Sequence, residues 1–255
     1  MLQEYLAINI FHFMVLFARL GVVFLLMPGL SASYVPARLR LIVAVLTAVL
    51  ALPLVSSTLP PQPNNTADLI WLMVSEILIG AFLGGLTQIV MSSISLAGQL
   101  ISTAVGLTNA FIDDPIAEEQ SAILLGFLNL IAVVMIFMTG THEFMIMGIV
   151  DSYNLLQPGQ PIIMKDMLSV TTRMFDQAFY MGIRLAAPFL VFEMVFQVTS
   201  GILARLSPQL NVFFVVLPGK IMMGLIIMMV SLPTIMLAFL RFFDNNLHSL
   251  LTPVR

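Results

Sequence analysis

Thirteen carboxylates and ten Lys or Arg side chains are nearly all the charge that this 255-residue chain carries. Their spacing limits the chemistry open to it. The densest group is Asp113, Asp114, Glu118 and Glu119, four carboxylates within seven residues. Such a cluster is the working part of the chain, an ordinary acidic loop at a membrane surface, or a helix start. Asp114-Pro115 fits the last: an N-cap followed by a proline at the first helical position, with Glu118 and Glu119 against the helix dipole. A second group consists of single charges inside apolar runs: Arg19, Glu76, Arg184, Glu193 and Lys220. Such charges are costly in lipid and face protein or water. They point to ion pairs between helices or between subunits, to proton or ion relay, or to exposure in a water-filled assembly. Arg184 and Glu193 are nine residues apart, half a turn out of phase on one helix, so they do not pair with each other there.

Enzyme signatures are weak or missing. His142-Glu143 has Ile146 where a metalloprotease helix needs its second histidine. There is no P-loop and no G-x-S-x-G elbow. His12, His142 and His248 are scattered, and no triad pattern joins them. The chain has no cysteine, which removes disulfides, thiolate catalysis and Cys-zinc sites. A net charge of −3 offers no basic field for nucleic acid. The expectation is no enzyme, no cofactor, no metal and no nucleic-acid partner.

The elements that must position these charges are apolar helices. The chain is 60% hydrophobic and 9% charged, with a mean hydropathy of +1.05. A soluble domain carries about 25% charged residues, so the class is an all-α integral membrane protein. About six long, kinked segments are expected. The first runs from Tyr5 to Met27, with Glu4 and Arg19 arguing against a cleaved signal peptide. The second, Leu41 to Val55, is broken at Pro53. The loop from Ser56 to Asp68 is rich in Pro and Asn. The third begins near Leu69 and turns small and polar from Ser92 to Thr108. The fourth is Ser121 to Val150, followed by a polar loop from Asp151 to Asp176. The fifth, Ala178 to Ala204, contains Pro188, and a break from Arg205 to Asn211 follows. The sixth is Val212 to Leu240, with Pro218 and Pro233 inside, and Arg241, Asp244 and His248 form a tail.

Gly80 and Gly84, and likewise Gly98, Ser102 and Gly106, recur every four residues. These small faces suit close helix packing or, alternatively, a water-lined path. The 19 methionines suit packing or a deformable seal. No charge interrupts Ile77 to Ile112, so the acidic stretch is reached through a long Gly- and Ser-rich arm. Arg38 and Arg40 place the first link in the cytoplasm. Alternation from there sends the Lys165/Arg173 loop outward and the acidic cluster inward, against the rule. Half-crossing helical hairpins inside a larger assembly would account for that failure.

Several stretches resemble one family. They are Ala18-Arg19-Leu20-Gly21 with Pro28; Val35-Pro36-Ala37-Arg38-Leu39-Arg40; Asp114-Pro115; Arg184-Leu185-Ala186-Ala187-Pro188; and Ala204-Arg205-Leu206-Ser207-Pro208-Gln209-Leu210-Asn211-Val212-Phe213 with Leu217-Pro218-Gly219-Lys220. Over roughly residues 5 to 245 the chain is similar to the FliR family of the bacterial type III export gate, whose virulence-secretion branch is SctT-like. Gly140-Thr141-His142 departs from the pattern, which has a second glycine beside the histidine.

The resemblance implies a single membrane export-gate domain over residues 1–255. Residues 1–175 would be FliP-like, and 176–245 would form a FliQ-like helical hairpin. It implies a hetero-oligomer with FliP-like, FliQ-like and FlhB-like subunits in the bacterial inner membrane at the flagellar basal body. That closed channel would pass unfolded flagellar subunits, driven by the proton motive force and an associated ATPase. Gly106, Leu107, Thr108, Asn109, Ala110, Phe111, Ile112, Asp113, Asp114, Pro115, Glu118 and Glu119 would fall in the loop that plugs the channel. Arg19, Glu76, Arg184, Glu193, Arg205, Gln209, Asn211 and Lys220 are the expected subunit contacts. Two other readings stay open: a secondary transporter for a small solute or ion, based on the buried charges and interrupted helices, and an intramembrane hydrolase.

Overall fold

The computed structural model describes residues 2–32, 34–107, 122–161, 164–206 and 212–251. These form α1 (Leu2–Leu26), α2 (Ala37–Val55), α3 (Thr66–Val105), α4 (Ala122–Met138), α5 (Thr141–Leu155), α6 (Met164–Leu206) and α7 (Val212–Leu251). There is no strand among the described residues. Among the described residues, four helices are long and apolar enough to cross a membrane, or up to five if α4 and α5 are one broken span. The chain is an all-α integral membrane protein.

Contacts divide it into two units. The first holds residues 1–90, 137–175 and 245–255; the second holds 91–136 and 176–244. In the first unit, α1 buries Val15, Leu16, Leu20, Val23 and Phe24, a helical stripe, with Met27 buried just past its end. α2 packs on α1 and buries only Ala44, Ala48, Ala51 and Val55. Its large side chains Leu46, Val49, Leu50 and Leu54 point outward. Small inside and large apolar outside reverses the pattern of a water-soluble helix, and it is the arrangement lipid or an apolar neighbour permits. α3 crosses α1 just as closely. A Cβ on Gly80 would lie 2.5 Å from the Arg19 carbonyl oxygen, and one on Gly84 would lie 2.7 Å from the Leu26 Cβ. Gln88 then donates from Nε2 to the Leu26 carbonyl and to Ser31 Oγ, satisfying orphan acceptors where α1 ends.

In the second unit, the end of α3 lies against α4. A Cβ on Gly98 would meet the Leu125 Cα at 3.0 Å, and Ser95 Oγ donates to Asn129 Oδ1 at 3.0 Å. α6 approaches α3 at Gly182, where a Cβ would be 2.9 Å from the Ser93 carbonyl oxygen. The spacing of small residues thus marks close backbone approach.

Several expected boundaries are corrected. The stretch from Ser92 to Val105 is not a separate pliable arm; it is the last turns of the 40-residue α3. Its hydroxyls bond back along the helix, Thr103 Oγ1 to the Gln99 carbonyl for example, and so cost the helix little. The fourth segment is not continuous. Gly140 takes φ 75°, the left-handed conformation, and separates α4 from α5. α6 starts at Met164, so Lys165, Arg173 and Asp176 lie on a helix instead of a loop. α7 continues past Leu240 because Phe239, Phe243 and Leu247 carry the buried stripe onward. Pro53, Pro188, Pro218 and Pro233 lie within helices that continue through them.

Candidate functional site: two ion pairs and the end of α3

Arg19 on α1 and Glu76 on α3 meet in the first unit with both side chains fully enclosed. Arg19 Nε donates to Glu76 Oε2 at 2.8 Å and Nη2 donates to Oε1 at 3.0 Å, a bidentate fork. Nη1 donates to Ser152 Oγ at 2.9 Å, and Nη2 donates again to the Leu156 carbonyl at 2.8 Å. Ser152 Oγ in turn donates to the Ile149 carbonyl. The guanidinium lies 3.9 Å from the centre of the Tyr153 ring, a cation–π contact strengthened by exclusion of water. One side chain of α1 therefore clasps α3 and the last turn of α5. The positive charge sits where the free carbonyls of α5 concentrate negative charge.

These two charges were among the expected subunit contacts. They pair between helices of the same chain and are enclosed within it. Ser152 and Tyr153 were not singled out from the sequence. Ser152 lay in a stretch read as loop, and its only signal was the surplus of donors an enclosed arginine must satisfy.

The second pair, Lys220 on α7 with Glu193 on α6, lies in the second unit. Its side chains keep 10% and 21% exposure respectively. Gln197, one turn along α6, donates from Nε2 to Glu193 Oε1 at 2.7 Å, and the Lys220 amine lies 6.0 Å from the Phe196 ring centre. Arg184 and Arg205 are exposed on α6. Glu193 thus finds its cation on the neighbouring helix, in keeping with the phase argument against Arg184. Gln209 and Asn211 lie outside the described residues.

The stretch expected to plug a channel is described only at its start. α3 ends at Gly106, whose φ of +89° suits glycine. Gly106 N donates to the Thr103 carbonyl and Leu107 N to the Ser102 carbonyl, both at 3.1 Å, the paired bonds of a Schellman C-cap. A Cβ on Gly106 would lie 3.4 Å from both Leu217 Cδ1 and Lys220 Cδ. The root of the stretch therefore rests on the Lys220 side chain. Thr108, Asn109, Ala110, Phe111, Ile112, Asp113, Asp114, Pro115, Glu118 and Glu119 lie outside the described residues. Among the described residues no group of His, Asp and Glu could hold a metal ion.

A match to the family described as bacterial export proteins, family 1, spans residues 10–246 and so takes in both ion pairs and the end of α3. The chain belongs to this family. Among its relatives is the flagellar biosynthetic protein FliR of Caulobacter vibrioides, 31% identical over 226 residues, which cover 89% of this chain and 90% of that protein. FliR of Aquifex aeolicus is 26% identical, over 86% of this chain and 84% of its own length. FliR of Escherichia coli is 26% identical, over 82% and 79%.

Proposed function

We propose that the chain is a core subunit of the flagellar protein export gate. With FliP-like and FliQ-like membrane subunits, and a FlhB-like subunit beside them, it would form the closed channel that passes unfolded flagellar proteins. Its place would be the bacterial inner membrane, within the flagellar basal body. The observation that carries this reading is the family match across residues 10–246, with FliR proteins as relatives over most of their own length. Physical support comes from the surface. Val191, Val195, Val198 and Ile202 on α6 and Met222, Met223, Ile226, Met229 and Val230 on α7 are exposed, a large apolar area that suits partner subunits.

In this reading Gly106 to Gln120 helps hold the channel shut, starting from the fixed cap of α3. Deleting it should produce an ion leak across the membrane of living cells. Normal export with no added leak would dismiss the plug. Arg184, Arg205, Gln209 and Asn211 would contact partner subunits. Arg205→Ala should lower recovery of the purified complex, whereas full recovery with lost export would make Arg205 a channel residue. Purification of the chain alone or as a small homo-oligomer would favour a small-solute transporter instead.

A further inference from the structure

We infer that the Glu193–Lys220 pair is the anchor that fixes the root of the Gly106–Gln120 stretch, a positioning role that rests on reading that stretch as the plug. Three observations within the second unit carry it. First, the Schellman cap fixes the direction in which the chain leaves α3 at Gly106 and Leu107. Second, that cap rests on α7. Lys220 Cδ and Cε lie 3.4 and 3.7 Å from where a Gly106 Cβ would be, and one turn further along α7 a Cβ on Gly224 would lie 2.6 Å from Val105 Cγ1. Residues 220 and 224 share a helix face, so α7 offers a floor with no Cβ at 224 and a long stem at 220. Third, the stem's free end is held. Its amine is paired with Glu193, and Gln197 holds the other carboxylate oxygen.

Lysine has four rotatable bonds and, left unpaired, would sample many rotamers. Pairing with Glu193 holds it in the one conformation that supports the cap. A charge on α6 thereby sets how firmly Gly106 and Leu107 are seated at the end of α3. Lys220 fits this role better than a methionine would. It needs the aliphatic stem to pack against Gly106 and the charged tip to be fixed.

The absence of cysteine makes a test direct. A single Leu107→Cys substitution places a unique thiol at the root, in the full chain assembled in native membranes. The readout is its rate of modification by a small maleimide, with and without Glu193→Gln. Losing one hydrogen bond to a charged group should shift the local opening equilibrium, and with it the rate, by roughly tenfold or more. Glu193→Asp keeps the charge but shortens the arm, and it should give a smaller rise. An unchanged rate in both variants overturns the anchor. So does loss of both variants from the membrane, which would make the pair a general folding requirement.

Ion leak, read in the same cells, separates this inference from the plug itself. Faster labelling without leak in either the Glu193 variants or the deletion supports the anchor and removes the plug. Leak in the deletion with unchanged labelling in the Glu193 variants keeps the plug and removes the anchor.

Discussion

Replacing Glu76 with Gln should destabilise the chain by about 3–5 kcal/mol, the cost of leaving one partner of a buried ion pair uncompensated. The enclosure of the pair sets that size. Arg19 and Glu76 have no exposed side-chain surface, so neither water nor salt screens the abandoned guanidinium. An amide also offers one oxygen where Arg19 now uses two. Changing both residues to Met should be gentler, because no charge is then stranded. The double variant gives up the donors to Ser152 and Leu156. Ser152 keeps its own bond to the Ile149 carbonyl. The remaining polar loss centres on the Leu156 carbonyl, at about 1–3 kcal/mol. The double variant should therefore be more stable than Glu76→Gln by about 2 kcal/mol. The single tryptophan, Trp71, lies five residues before Glu76. It is 69% exposed, and its fluorescence reports unfolding of the detergent-extracted chain by sodium dodecyl sulfate. A double variant as unstable as the single one, or worse, would refute the reasoning. Packing and hydrogen-bond geometry would then outweigh the stranded charge.

Two glycine substitutions should move in opposite directions by the same measurement. Gly80→Ala places a Cβ 2.5 Å from the Arg19 carbonyl oxygen and should cost about 1–3 kcal/mol as α1 and α3 are forced apart. Gly85→Ala meets nothing within 4 Å and should add about 0.5–1 kcal/mol by restricting the unfolded chain. If Gly85→Ala stabilises the chain yet prevents complex formation, Gly85 lies at a partner contact. Gly106→Ala should cost about 1–2 kcal/mol for a left-handed residue bearing a side chain, and it should accelerate labelling of Leu107→Cys as Glu193→Gln does.

The membrane class and helical content were readable because charge is so scarce, and that scarcity spans the whole chain. The glycine spacing at 80, 84 and 98 was readable for a similar reason: a four-residue period of small side chains has few structural uses in an apolar helix. Partners of the buried charges were not readable. Glu193 and Lys220 are 27 residues apart on different helices (220 − 193), and sequence spacing carries no record of which faces of α6 and α7 meet. Ser152 and Tyr153 were hidden because a helical turn rich in polar residues looks like a loop. The prolines misled in the other direction. Pro53, Pro188 and Pro218 read as interruptions, yet the neighbouring turns keep enough hydrogen bonds for each helix to pass through. Gly140 was passed over because a single glycine in an apolar run is usually tolerated, and only its φ reveals the break.

The lengths of α3, α6 and α7 carry a consequence for a copy of the chain on its own. They hold 40, 43 and 40 residues, which at 1.5 Å per residue is about 60 Å of helix each. The hydrocarbon layer is about 30 Å thick. Fitting such a rod inside it would take a tilt of about 60°, well past the usual limit of about 40°. About a third to a half of each helix therefore stands outside the hydrocarbon layer. A newly inserted copy without companions is a poorly solvated molecule in both media. In the proposed assembly, a copy that partner subunits leave uncovered should be cleared by membrane proteases.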